Sequence, residues 1–453
     1  MSSLFPLLSE EASKTLASIP ALVEKAFPIP ARFRAALPAD VAELFRFLTY
    51  ERTERGASYL GKPALLSAYL RYYLPWNIYR LCRLFAALPV ELKGNDAIND
   101  LGAGPLTLAI SLWISRPDLR DIPLEFRCLD KTAAVLDAGK KLFAALTANV
   151  ACPWTVRTIR GELRGFGRQG GRALSVEIRG KPAALSAAVN VYNELFWDLS
   201  PVDKEGLGHF ASSQARLLSS LTESSGSVLV VEPGIPRSGE FISLLRSSLI
   251  KEKRLLLSPC PHCGLCPLPG GRSAKWCHFA LSADDAPEEL HRLSAAMKLP
   301  KERVALSFVL VGKASAQKSA RRTERTKIRI ISDCFPLSAD SPGARSLPGI
   351  AHVIEENAKK HSFRAFYSLQ TPKGAHKSED FEADSRKILP VQQAPRGHES
   401  KAWGRYGCSE HGLVLVTGNR RTLEASPPGT LEELALERGM VDAKSGACIA
   451  RKP

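Results

Sequence analysis

The amino-acid sequence predicts an α/β fold: a parallel sheet with helices on both faces, preceded by a helical region and followed by a small β-rich region. Two observations carry this prediction. Between residue 91 and about residue 255, short β-type runs alternate with helix-length segments, the pattern of strands joined by crossover helices. The first run ends in a glycine turn followed by an apolar helix pattern, AINDLGAGPLTLAI, the form of a nucleotide-binding strand–turn–helix.

The elements follow in chain order. In residues 1–90, apolar positions recur at three- and four-residue steps through Val41, Leu44, Phe45 and Leu48, so this region reads as helical. Pro75 is expected to break or kink the run Leu65 to Leu88. The stretch AYLRYYLPWNIYRLCRLF interleaves aromatics with Arg71, Arg80 and Arg83. It reads as an amphipathic helix pair with basic edges or, alternatively, as a surface on which RNA bases stack. The runs AINDL, EFRCLD, WTVRTIR, AVNVYNELF and SVLVVEP supply the expected strands of residues 91–335. The connection RTIRGELRGFGRQGGRALSVEIRG is rich in Arg and Gly and reads as an exposed loop or hairpin. A cysteine-rich loop at 256–280 precedes a helical stretch and the strand VALSFVLVG. Residues 336–385 read as a polar insertion or linker. Residues 386–453, with RKILPVQQAP and GRYGCSEHGLVLVTGNRR, form the β-rich region.

Composition narrows the function classes. The 453 residues are 45% hydrophobic and 24% charged, enough for a sizeable core, which excludes wholesale disorder. A net charge of +16 predicts an anionic partner, most often nucleic acid. The basic run Lys313 to Arg329 is one candidate contact. The apolar run Leu106 to Ile114 falls short of the ~20 residues a membrane span needs. The N-terminal stretch reads as neither a secretory signal nor an Arg-rich transit peptide, so a bacterial-type cytoplasm is the expected compartment. No disulfide partner is expected among the ten cysteines there.

The glycine turn carries the first candidate site. Gly102 and Gly104 permit a tight turn and close approach of backbone to a ligand. Asp130, at the end of EFRCLD, is placed to bond ribose hydroxyls. Thr107 occupies the last position of G-x-G-x-x-G, so the dinucleotide fingerprint fails. Asp100-Leu-Gly102-Ala-Gly104 instead looks like motif I of class I S-adenosylmethionine methyltransferases, with a Rossmann-like core. Asp100, Gly102, Gly104 and Asp130 are the candidate cofactor-binding residues. The motif's third glycine is replaced by Leu106, a side chain expected to crowd the amino-acid end of the cofactor. In NVYNELFW, Asn193 and Glu194 stand where an acceptor would be faced, but no catalytic residue is assigned, since neither an NPPY-type tetrapeptide nor a cysteine is present there.

The second site is SPCPHCGLCPLPGGRSAKWCHF. Cys260, Cys263 and Cys266 are spaced C-x2-C-x2-C, and Cys277 follows. Thiolates so spaced can converge on one centre, either a [4Fe–4S] cluster or zinc. Radical enzymes usually show C-x3-C-x2-C, which disfavours that class.

Together, Cys260-Pro-His262, Cys266-Pro-Leu268, Trp276-Cys277-His278-Phe279, DLGAGP and VVEPG resemble the methyltransferase-like family of the mitochondrial small ribosomal subunit and its bacterial relatives. The resemblance covers roughly residues 60–310 and about 386–418. It implies a [4Fe–4S] cluster on Cys260, Cys266, Cys277 and Cys408, with Cys263 spare. It also implies association with the small ribosomal subunit and its rRNA, in assembly or early translation, with S-adenosylmethionine as the candidate second cofactor. An active S-adenosylmethionine-dependent rRNA methyltransferase is the alternative reading.

Overall fold

The structure, a computed structural model, describes residues 3–49, 59–163, 178, 182–196, 204–271, 275–313, 325–337, 403–442, 445 and 447–452. The run RKILPVQQAP, nearly all of the expected insertion 336–385, and Lys318, Arg321 and Arg322 of the basic run lie outside the described residues.

Eight strands form the first sheet: β1 (Asp96–Leu101), β2 (Leu124–Asp130), β3 (Thr155–Arg160), β4 (Ala183–Val189), β5 (Thr222–Pro233), β6 (Leu255–Ser258), β7 (Phe279–Ser282) and β8 (Arg303–Gly312). Their order is β3-β2-β1-β4-β5-β8-β6, with β7 also on β8. β1 to β5 run parallel. β8 inserts antiparallel between β5 and β6. This is the sheet of a class I methyltransferase. The central strands are buried on both faces, which is why SVLVV and LSFVLV are continuous apolar runs rather than alternating ones. The helices Thr107–Ser115 and Ala133–Thr147 contribute to one apolar core. The helices Lys204–Leu221 and Pro236–Lys251 contribute to the other. Strand order reverses between β1 and β4, and the crevice outside the carboxyl ends of these strands is where such sheets take ligands. One strand differs from expectation. AVNVYNELF is a strand only as far as Val189, after which Tyr192–Leu195 turns helical.

The N-terminal region is helical over Glu10–Ala26, Ala31–Arg34, Leu37–Thr49, Pro63–Ala68 and Leu74–Phe85. Ser9 caps the first helix by accepting from the Ala12 amide at 3.2 Å. Pro75 does not break the run. It sits in the first turn of Leu74–Phe85, where its missing donor is tolerated, and the chain reaches it through a π-helical stretch, Tyr69–Tyr73. The reading of this segment as a base-stacking surface is corrected: Tyr72, Trp76 and Tyr79 are buried against the core sheet's cover. The arginines are buried with partners as well. Arg83 donates to the carbonyls of Pro6 and Phe5 at 2.6 and 3.0 Å and to the hydroxyl of Tyr79, and it pairs with Asp285.

A second sheet takes β9 (Thr326–Ile330), β10 (Phe335–Pro336), β11 (Trp403–Ser409), β12 (Gly412–Gly418), β13 (Leu431–Leu434), β14 (Leu436–Val441) and β15 (Cys448–Arg451). The order is β13-β9-β11-β12-β15-β14, with β10 on β11. This sheet draws strands from both sides of residues 338–402, so it begins before residue 335. The N-terminal segment spans the two sheets. Leu4 donates to the Gly429 carbonyl at 3.2 Å, and the Phe5 ring packs 5.3 Å from that of Phe279 on β7.

Arg83 therefore ties this segment to the core. Replacing it with Met leaves two carbonyls and Asp285 without their partner, which should cost about 3 kcal/mol in chemical denaturation. Lys14→Met, which removes the exposed Lys14–Glu10 pair, should leave the midpoint unchanged.

Candidate functional site

The molecule holds two candidate sites: a cleft at the carboxyl ends of β1 and β4, and a cavity lined by cysteines.

The cleft encloses about 1000 Å³ of space open to solvent. Its floor is the glycine turn, held to β2 by bonds from the Gly102 and Ala103 amides to the Leu129 carbonyl at 2.8 and 2.9 Å. Gly102 has φ +75°, and a Cβ there would sit 2.3 Å from Cγ2 of Val191. Gly104 has φ +54° and open space where a Cβ would be, so a ligand can approach its backbone. Asp130 lines the cleft, but both its oxygens are already engaged. Oδ2 accepts from the Gly104 amide at 3.0 Å and Oδ1 from the Thr132 amide at 2.9 Å. It clasps the turn as well as bordering the ligand space. Asp100 also lines the cleft. It is 1% exposed, and its Oδ2 has no partner. Burial, reinforced by Asp130, pushes its carboxyl up to about 8.

The expected crowding by Leu106 is corrected. Leu106 adopts φ +58°, the left-handed conformation for which glycine is the usual residue, and is fully buried. It packs beside Gly139, where a Cβ would lie 2.6 Å from its Cγ, and it is not among the residues lining the cleft.

The sequence did not single out the groups that shape the acceptor side. Glu232, at the end of β5, is fully buried and accepts from the amides of Tyr192 and Asn193 at 2.8 and 3.0 Å. Burial pushes it up to about 8. Arg80 reaches from the N-terminal region to donate to Oδ1 of Asn190 at 2.7 Å. The signal for Glu232 was an acid closing an apolar strand. Of the two polar residues expected there, Glu194 lines the cleft and accepts from the Tyr59 hydroxyl at 2.8 Å, whereas Asn193 is buried away from it.

The second feature is a cavity of about 260 Å³ that is partly open to solvent. Cys260, Cys266, Cys277 and Cys408 all line it, with Phe279 and Arg329 among the other walls. Cys263 is exposed and does not line it. The thiols arrive from the loop after β6, from the residue just ahead of β7, and from β11 in the second sheet, where Cys408 stands opposite Arg329. Burial, then the neighbouring thiols, push Cys277 well above the ordinary thiol range. Two guanidinium groups are buried beside the sulfurs. Arg246, 3% exposed, donates to the His262 carbonyl at 2.7 Å, and its charge offsets part of the rise that burial imposes on the Cys260 thiol. Arg329, 9% exposed, donates to the carbonyls of Pro259 and Gly429 at 3.0 and 2.7 Å. Among the described residues no carboxylate pairs with either. His262 Nε2 lies 3.2 Å from Cys408 Sγ. No three His, Cys, Asp or Glu side chains among the described residues are arranged to hold a single metal ion.

The sheet order and the cleft define a protein of class I methyltransferase fold. The family model described as "Mitochondrial small ribosomal subunit Rsm22" matches residues 186–334, which include β4, β5, the cysteine loop and β8. Among solved structures, the chain is similar to a Listeria monocytogenes protein provisionally described as a class I S-adenosylmethionine-dependent methyltransferase. The two share 12% identity over 69% of this chain and 90% of that one, with TM-score 0.31. A Geobacter sulfurreducens S-adenosylmethionine-dependent methyltransferase in complex with S-adenosyl-L-homocysteine shares 12% identity over 60% of this chain and 98% of that one, with TM-score 0.28. No curated protein matches. No helix among the described residues is long and apolar enough to cross a membrane. The matched family is described as mitochondrial, which does not support the bacterial-type cytoplasm expected from sequence.

Asp100 gives a test of the cleft. Its carboxyl holds its proton more tightly folded than unfolded, so its contribution to stability is complete below pH ~4 and is lost as pH rises towards about 8. Asp100→Asn should be more stable than the wild type at pH 8, the advantage shrinking towards pH 4. Thermal midpoints across that range measure it, and parallel curves would show that Asp100 is ionised throughout.

Proposed function

We propose that the chain is a methyltransferase-fold protein of the small ribosomal subunit, binding its rRNA in assembly or translation, and that Cys260, Cys266, Cys277 and Cys408 hold a [4Fe–4S] cluster. The observation that carries the cluster reading is the meeting of four distant thiols at one cavity with Arg329 in its wall and Arg246 buried near by, neither paired with a carboxylate among the described residues. Buried cations need an anion close by. Four thiolates around a cubane core supply one, with a net charge of −2 in the oxidised form. In this reading the cluster is a crosslink, joining β11 to the loop after β6. The match over residues 186–334 supports the ribosomal association, and the net charge of +16 supports an RNA partner. The compartment is that of the ribosome it serves.

The alternative, an active S-adenosylmethionine-dependent rRNA methyltransferase, draws on the open cleft and the unpartnered Asp100 oxygen. Asp100, Gly102, Gly104 and Asp130 would hold the cofactor, which supplies an electrophilic methyl group. Glu232 fixes the Tyr192–Leu195 turn, and Arg80 fixes Asn190, so these two act as positioning residues. Arg80 also takes up one of the two acceptor sites of the Asn190 carboxamide oxygen. Calorimetry with S-adenosylmethionine, followed by methyl transfer to purified small subunits, separates the two readings. Binding without transfer leaves the first, and transfer to rRNA establishes the second.

Anaerobically isolated protein should carry about four iron atoms per chain. Cys408→Ser should lose iron and expose the second sheet to protease, because metal binding contributes directly to folding. Cys263→Ser should keep both. Stoichiometric zinc without iron would overturn the cluster. Full iron in Cys408→Ser, with loss in Cys263→Ser, would move the fourth ligand back into the loop.

A further inference from the structure

We infer that His262 and Arg246 set the electron affinity of the centre held by the four cysteines, making it reducible rather than a static crosslink. The inference rests on the cluster reading above and goes beyond its structural role. It starts from a contact to sulfur. His262 Nε2 lies 3.2 Å from Cys408 Sγ. A metal-bound thiolate carries no proton, so with the centre in place this contact would run from nitrogen to sulfur. Nδ1 is buried with no hydrogen-bond partner. His262 lies between two of the cysteines in sequence, it is buried, and its carbonyl is gripped by Arg246 at 2.7 Å. Arg246 thus anchors the histidine and places a buried cation near Cys260.

The consequence is electrostatic. With a [4Fe–4S] centre in place, one electron from an external one-electron donor would take the core from 2+ to 1+, with no bond made or broken and no proton moved, and the net charge with four thiolates from −2 to −3. Donors to sulfur and nearby cations stabilise the more negative state more, so they would raise the reduction potential. Arg329, buried on the neighbouring strand opposite Cys408, adds to the same field. Phe279 and Leu268 stand among the apolar walls beside the sulfurs.

The experiment is an anaerobic titration of the full chain with dithionite through mediators, followed by electron paramagnetic resonance. Wild type is compared with His262→Leu and His262→Gln, and iron is counted in each. His262→Leu should keep its iron and shift the midpoint to a more negative potential. His262→Gln retains an amide N–H and should recover most of that shift. If His262→Leu fails to load iron, Arg246→Lys carries the comparison: it keeps the charge but loses the fork, and its midpoint must fall. Iron-loaded variants with the wild-type midpoint would overturn the inference and leave the cluster standing. A wild-type protein without iron would overturn the cluster reading, and this inference with it.

Discussion

Two sheets that share no strand meet where positive charge is buried and, among the described residues, no carboxylate pairs with it. Arg246 and Arg329 lie near Cys260, and their hydrogen bonds go to backbone carbonyls. A buried cation left without an anion costs several kcal/mol. In the cluster reading proposed above, thiolates on a metal centre would supply that anion. β11 brings Cys408 to the cavity that the loop after β6 also lines, β9 places Arg329 opposite it, and the N-terminal segment bonds the Gly429 turn.

The cleft obeys the same rule with the sign reversed. Asp100 and Glu232 are buried carboxyls raised by desolvation. Glu232 is satisfied by two backbone amides and shapes the turn that borders the cleft. Asp100 lines the cleft and keeps a buried oxygen without a partner. Leu106, whose side chain leaves the cleft, keeps that space open at the cost of a left-handed backbone conformation.

Much of this was legible in the sequence, for physical reasons that can be named. Continuous apolar runs spaced by helix-length segments gave away the parallel sheet, because strands buried on both faces are mostly apolar. Asp100, Gly102 and Gly104 were visible because their turn demands those residue types. Cys408 was reached only through family resemblance, since nothing local links it to a loop far upstream. What stayed hidden were contacts between distant segments: Arg80 with Asn190, Glu232 with the Tyr192 turn, Arg246 and His262 with the sulfurs. Residue type and spacing do not show which side of a helix finds a partner. The aromatic stretch around Trp76 read first as an amphipathic helix pair, with an RNA surface as the alternative, for that reason. Leu106 was misread because the motif shows a bulky residue without showing that positive φ turns it away from the ligand.

The central claim is that one iron–sulfur centre sits where the two sheets meet. The measurement that tests it most directly is a Mössbauer spectrum of the full chain, produced with 57Fe and isolated without air. The account predicts the signature of a diamagnetic [4Fe–4S] centre with valence-delocalised iron pairs, accounting for all the iron present. A protein free of iron with zinc in its place, or a spectrum of isolated mononuclear iron, would contradict it.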